Sequence, residues 1–320
     1  MSTKGIAGFL IFVAVGGMGA AQNGSLIHYP KADGVIFALP HVSIILNSLM
    51  PRQRKGLRLR VDGQPIPDGA IAGCRICAGD HPTVIATKAR WTINDGVHRL
   101  VATVNGSELP MLRYTLDSTT SSLIGLTGAV DLPDAFVAIA PTVRFGGMAF
   151  SRSPHHRFWL GVTGGEGLPL EVTLLQSLRP RKTSVAWKVA PLRHRHWSVS
   201  VGQWDGGSEF AAIGYRTQPS YFVVSVGVGQ GDLPSAWLNF SYSLSHLTPR
   251  LKRSEGASDF FAVLDLVRLQ AEVEVDKKGQ LSFGALLCHP YGWRVGIFRT
   301  RQRDGRKVWI GQFSVSKAWR

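Results

Sequence analysis

HWSVSVGQWDGGSEFAAIGYRT (residues 196–217) is written as two β-strands around a glycine turn. From Trp197 the large apolar side chains fall on odd numbers (Trp197, Val199, Val201), while Ser198, Ser200 and Gly202 fill the even ones. Successive side chains of a strand point to opposite faces, so this strand has one apolar face and one small, polar face. A soluble sheet buries its apolar face under a second layer, whereas a membrane barrel turns it to lipid. The fold turns on which of these applies.

The same alternation recurs from Thr142 to the end. Val267, Leu269, Ala271, Val273 and Val275 oppose Arg268, Gln270, Glu272 and Glu274. Trp309, Gly311, Phe313 and Val315 oppose Ile310, Gln312, Ser314 and Ser316. Some 12 segments of this kind, most of them 8 to 11 residues and joined by short turns, fit transmembrane strands of an outer-membrane-type barrel. Tryptophans cluster near segment ends (Trp159, Trp187, Trp197, Trp204, Trp237, Trp293, Trp309, Trp319), where interfacial girdles lie. Alternation alone also suits a soluble two-sheet sandwich, which remains the alternative.

Upstream, HVSIILNS, GLRLRVDG, TVIATKARWTI, VHRLVATV and LPMLRYTL are shorter strand candidates, punctuated by Asp62-Gly63 and Asn105-Gly106. They predict a small, immunoglobulin-like β-sandwich over 22–120, with Trp91 in its core. Before it, Lys4, the apolar run Ile6–Val15 and Gly19-Ala20-Ala21 have the anatomy of a cleavable export signal over 1–21. The apolar run is too short for a spanning helix. The predicted organisation is therefore a signal peptide (1–21), the small domain (22–120) and an all-β antiparallel barrel (121–320) in the outer membrane.

Cys74 and Cys77 form a CxxC, and only His81 stands near as a further ligand. In an exported chain this spacing predicts a local disulfide rather than zinc. The third cysteine is Cys288. His155-His156 would point to opposite faces of a strand, and His194/His196 to one, in a basic turn. Asp205 and Glu209 are a carboxylate pair of the kind glycoside hydrolysis uses, but they flank a turn and need not converge. No GxSxG, P-loop or HExxH motif occurs. No catalytic residue, cofactor or metal site emerges, and so no enzyme.

The formal net charge is +15, scattered over turns and strand ends without a long run, which argues against nucleic acid. Lumen-side Lys188, Arg216, Arg268 and Arg294 suit an anionic polymer or lipopolysaccharide phosphates.

GLTGAVDLPDAFVAIAPTVRFGG, from Gly125, resembles the opening strand motif of the YjbH-like outer-membrane proteins of exopolysaccharide biosynthesis, through Gly125, Thr127, Gly128, Pro133 and Ala135. A later run resembles the same family through Lys188, Trp197, Gly202, Asp205, Gly207, Glu209, Phe210 and Ala212. The resemblance covers about residues 122–300. It implies an outer-membrane barrel with a non-enzymatic part in exopolysaccharide production or export, with outer-membrane lipid, an anionic polysaccharide and other proteins of that system as partners. The alternatives are a soluble exported β-sandwich that binds carbohydrate or another partner, and a glycan-processing enzyme using Asp205 and Glu209.

Overall fold

The computed structural model describes most of residues 94–318, the exceptions being 105, 121, 123–124, 152–155, 166, 179–180, 219, 245–265, 276–279, 290–291 and 302–306. Upstream it describes 27–29, 32–37, 43–46, 57–66, 71–72 and 83–87. The predicted export signal, Cys74, Cys77, His81, Trp91, His155 and Trp319 lie outside these residues.

Ten short strands precede the barrel: β1 (Ile27–Tyr29), β2 (Gly34–Ile36), β3 (Ser43–Leu46), β4 (Leu57–Val61), β5 (Gln64–Pro65), β6 (Ile71–Ala72), β7 (Thr83–Thr87), β8 (Gly96–Val104), β9 (Ser107–Glu108) and β10 (Leu112–Leu116). They make two sheets. One has the order β1-β3-β7-β6, the other β2-β10-β8-β4-β5 with β9 paired to β8. The second is antiparallel except for β2, which runs parallel to β10. Asp62-Gly63 turns β4 into β5 with both residues at positive φ, as a tight hairpin turn requires. Leu59, Val61, Leu100, Ala102 and Tyr114 form the buried face of this sheet.

Twelve strands then close on themselves: β11 (Thr142–Phe150), β12 (Arg157–Gly164), β13 (Leu168–Leu178), β14 (Arg181–Arg193), β15 (Trp197–Gln203), β16 (Glu209–Arg216), β17 (Phe222–Gly229), β18 (Ala236–Ser243), β19 (Val267–Glu274), β20 (Leu281–Cys288), β21 (Trp293–Arg301) and β22 (Lys307–Ala318). Each pairs antiparallel with the next, and β22 pairs with β11 from Thr142↔Ala318 to Phe150↔Ile310. Closure leaves no barrel strand with unpaired edge groups. It also settles the choice posed by the sequence, because the apolar faces do not meet in a sandwich. They point outward.

Phe145, Leu160, Leu174, Ile213, Val226 and Ile297 are exposed on the outer wall. Each is flanked in sequence by residues turned to the interior, and in β15 Ser198, Ser200 and Gly202 are buried while Trp197 and Val201 are exposed. An apolar belt outside is the arrangement of a membrane-spanning barrel, and the inner wall carries polar and charged side chains beside buried apolar clusters such as Met148, Leu286, Phe298, Val308 and Ile310.

The tryptophans divide. Trp187, Trp197 and Trp309 stand on the outer surface, but Trp159, Trp204 and Trp237 are buried. Those three pack inside with Leu126, Leu132, Phe210 and Leu233, so they are core residues rather than part of a girdle.

Barrel strand pairing starts at Thr142, where the sequence places the first of the long strands, so of the motif run 125–147 only the part from Thr142 belongs to the wall. Residues 125–141 hold one isolated bridge, Gly128↔Pro133. They lack the two-residue alternation of a strand, Pro133 and Pro141 supply no N–H, and Gly125 sits at φ 87°. This run does not join the wall.

Candidate functional site: the barrel interior

After β10 the chain enters the barrel. From Asp117 to Ala140 nearly every described residue is buried, although the run has almost no regular structure. Buried backbone must find hydrogen-bond partners, and here the lumen side chains supply them.

Three carboxylates clasp the run by accepting backbone N–H bonds. Glu171 on β13 accepts from Thr127 at 2.8 Å and Ala138 at 2.9 Å. Glu272 on β19 accepts from Asp131 at 3.0 Å and Leu132 at 2.8 Å. Asp117 accepts from Thr119, Ile139 and Ala140, tying the start of the run to its end.

Cations and amides of the wall donate to the carbonyls. Lys188 reaches the carbonyls of Thr127, Asp134 and Phe136, and its Nζ lies 3.3 Å from the Asp134 carboxylate and 3.5 Å from that of Glu171. Arg268 donates to Ser118 O at 2.8 Å and to Ser220 O at 3.0 Å. Arg294 donates to Thr119 O at 2.7 Å. Asn239 and the Trp237 indole N–H donate to Pro133 O, Gln312 donates to Ser122 O, and Ser200 donates to Asp134 O. Arg216 lies over the Phe136 ring and 3.5 Å from Asp95, whose carboxylate also accepts from Ser118 and Ser220.

The lumen is thus filled. A cavity lined by Ser118, Phe136, Arg216, Ser220 and Arg268 measures about 20 Å³, room for little more than one water.

Charge is matched as closely as shape. The buried wall carries five cations (Arg144, Lys188, Arg216, Arg268, Arg294) and two carboxylates (Glu171, Glu272), a net of three positive charges. Residues 117–141 carry three aspartates (Asp117 and Asp134, both buried, and Asp131, which is exposed) and no Lys, Arg or His, a net of three negative charges. Charges taken from water in this way persist when paired and hydrogen-bonded.

The four lumen cations expected from the sequence, Lys188, Arg216, Arg268 and Arg294, are all brought together here, and all four contact this inner run or the residues that anchor it. Alternation along the strands is enough to find them. The clasping carboxylates Glu171 and Glu272, the partner Asp134 and the fifth cation Arg144 escape a sequence reading, because nothing local marks a strand carboxylate as the partner of a segment some 40 to 140 residues away.

Of the family-like motif, Gly125, Gly128, Pro133 and Ala135 lie on the inner run. Asp205, Gly207 and Glu209 lie at the β15–β16 turn, whose flanking residues Trp204 and Phe210 share a buried cluster with Leu126 and Leu132 of the run. Asp205 pairs with Arg157 at 3.9 Å and Lys182 at 3.6 Å, and Glu209 accepts from Gln230. These two carboxylates have separate basic or amide partners, so the turn shows no shared catalytic geometry. His194 and His196 stand at the β14–β15 turn, with the His196 ring stacked on Tyr215. Among the described residues no cluster of three His, Cys, Asp or Glu side chains can hold a metal. Cys288 is buried and unbridged.

No family model matches the chain, and no curated protein does. Among solved structures it is similar to the KdgM porin (9% identity, TM-score 0.36, 56% of this chain and 99% of that one). It is also similar to the KdgM porin in complex with disordered oligogalacturonate (9%, TM-score 0.37, 56% and 99%). A third similarity is to the outer membrane protein Omp33 of Acinetobacter baumannii (7%, TM-score 0.32, 57% and 99%). Similarities this low say nothing of substrate.

The upstream strands meet one end of the barrel. Asp95 reaches Arg216, and Phe37 packs beneath the Arg294 guanidinium. At the same end His289 lies flat on Trp293, and burial pushes its imidazole down to about 4, so it is neutral at pH 7.

Proposed function

We propose that the chain is an outer-membrane barrel protein with a non-enzymatic part in exopolysaccharide production or export, and that its resting barrel is shut by residues 117–141. The observation that carries this reading is the charge and shape match between that run and the lumen wall. A wall with a net of three positive charges suits an anionic polymer. The inner run occupies the place such a polymer would take, and it does so with aspartates. In this reading Lys188, Arg216, Arg268 and Arg294 contact the polymer once the run withdraws. The sequence resemblance to YjbH-like proteins supplies the polysaccharide context.

The test is a deletion strain. Loss of secreted polysaccharide, restored by the full chain and equally by an Asp205→Ala/Glu209→Ala double variant, is the expected result. Unchanged polysaccharide in the deletion strain overturns the exopolysaccharide role, and failure of the double variant alone would favour the glycan-processing alternative.

A further inference from the structure

The upstream domain carries a feature that the barrel does not use. On the exposed face of its larger sheet stand Arg58 and Arg60 on β4, Arg99 on β8 and Arg113 on β10, all of them exposed. Arg99 and Arg113 are direct cross-strand partners. Side chains so placed have Cβ atoms about 5 Å apart, and like charges there destabilise a sheet. Arg60 is paired with Val101, which sets it diagonally beside Arg99 at about 7–8 Å. Arg58 follows two residues along the same face, about 7 Å further. The four arginine positions follow a path roughly 20 Å long across three strands.

Among the described residues, the apolar packing of this sheet does not involve the face that carries the row. The opposite face, through Leu59, Val61, Leu100, Ala102 and Tyr114, is the one that is buried. Two nearby acids, Asp62 and Glu108, offset the charge of the row only in part. Both oxygens of Asp62 are engaged, one by the His98 ring at 2.7 Å and one by the Arg99 backbone N–H at 2.8 Å. Glu108 approaches Arg60 at 3.6 Å, but both side chains are more than half exposed, where such pairs contribute little. All four positions are arginine and none is lysine. Arginine binds carboxylates through two parallel hydrogen bonds, which a point-charge ammonium does not.

We infer that this row of Arg58, Arg60, Arg99 and Arg113 is a docking face for a linear acidic polysaccharide with repeated carboxylates. The inference rests on the exopolysaccharide reading for its biological setting, but the site stands on its own geometry. A row some 20 Å long that crosses strands fits an extended chain better than a single headgroup. The domain joins the barrel end through Asp95 and Phe37, so a polymer held on this row is held beside the barrel mouth.

The experiment uses the full chain in neutral nanodiscs, with alginate as a soluble polyuronate and dextran as the neutral control, measured by calorimetry at two salt concentrations. Binding of alginate but not dextran is expected, weakening as salt rises. Arg99→Gln/Arg113→Gln should reduce affinity at least tenfold, and Arg99→Lys/Arg113→Lys by a smaller factor, with the unheated gel mobility of the barrel unchanged. Equal affinity in the wild type and the Gln variant overturns the site. So does a Gln variant that loses binding to phosphatidylglycerol vesicles while keeping alginate, since the row then serves a membrane surface. Alginate binding that depends on the row, in a protein whose deletion leaves polysaccharide unchanged, would retain the site and discard the exopolysaccharide role.

Discussion

Lys188 on β14 and Asp134 on the inner run meet inside the barrel at 3.3 Å, with Lys188 fully buried and Glu171 a further 3.5 Å from the same Nζ. One cation therefore serves two carboxylates and three backbone carbonyls. Lys188→Met removes the charge and breaks the ion pair of Asp134, although Glu171 retains Arg144 at 3.6 Å. Breaking a buried pair from one side costs about 3–5 kcal/mol. The expected result is a lower urea midpoint in detergent micelles. A Lys188→Met/Asp134→Leu double variant should recover part of the loss, and a double variant no better than the single would separate the two residues energetically.

The charge match between run and wall predicts what an emptied lumen conducts. In planar bilayers the wild-type protein should be silent, because the described interior leaves no continuous path. Deleting residues 119–139 with a short Gly-Ser bridge, or loosening the run with Glu171→Gln/Glu272→Gln, should open channels. Five buried cations against two carboxylates make those channels prefer anions, read as the sign of the reversal potential across a salt gradient. A cation-selective open state would contradict the assignment of the wall.

The outer wall makes a separate prediction. Val226 lies mid-strand in β17 among exposed apolar residues, opposite Ile213. In lipid, arginine on such a face costs about 2–4 kcal/mol near the bilayer midplane and little near its edges. Val226→Arg should lower the yield of folded barrel in vesicles, as judged by the unheated gel band. Trp197→Arg, at a strand end, should be nearly neutral. Equal effects at the two positions would mean that the belt does not face a bilayer.

How the fold announces itself in the sequence follows from these faces. The barrel is legible because each wall strand repeats its two-residue period many times over, as in Val267–Glu274 and Lys307–Ala318, and closure needs nothing beyond neighbour-to-neighbour pairing. The inner run is illegible for the opposite reason. Its order comes from Glu171, Lys188, Glu272 and Arg294, which lie on four different strands, and no local periodicity encodes partners that far apart. Trp159 and Trp237 mislead similarly: a tryptophan near a strand end reads as an interfacial anchor until an inner segment gives it something to pack against.

Two glycines of the inner run sit where no side chain fits. Gly125 has φ 87°, and a Cβ there would lie 2.5 Å from the Trp159 ring, while one on Gly128 would collide with the carbonyl oxygen of Leu132. The first position is strained for any L side chain and faces a buried indole; the second faces backbone, which yields less readily than a side chain. Overpacking of this kind costs about 1–3 kcal/mol, with the backbone strain additional. Gly125→Ala and Gly128→Ala should each displace the run, giving conductance in bilayers and faster proteolysis of the inner segment. Gly311, on the outer face of β22, meets nothing within 4 Å of a built Cβ, and Gly311→Ala should leave both readouts unchanged. If Gly125→Ala and Gly128→Ala stay silent and protease-resistant while the barrel folds, the run is held less tightly than its contacts imply.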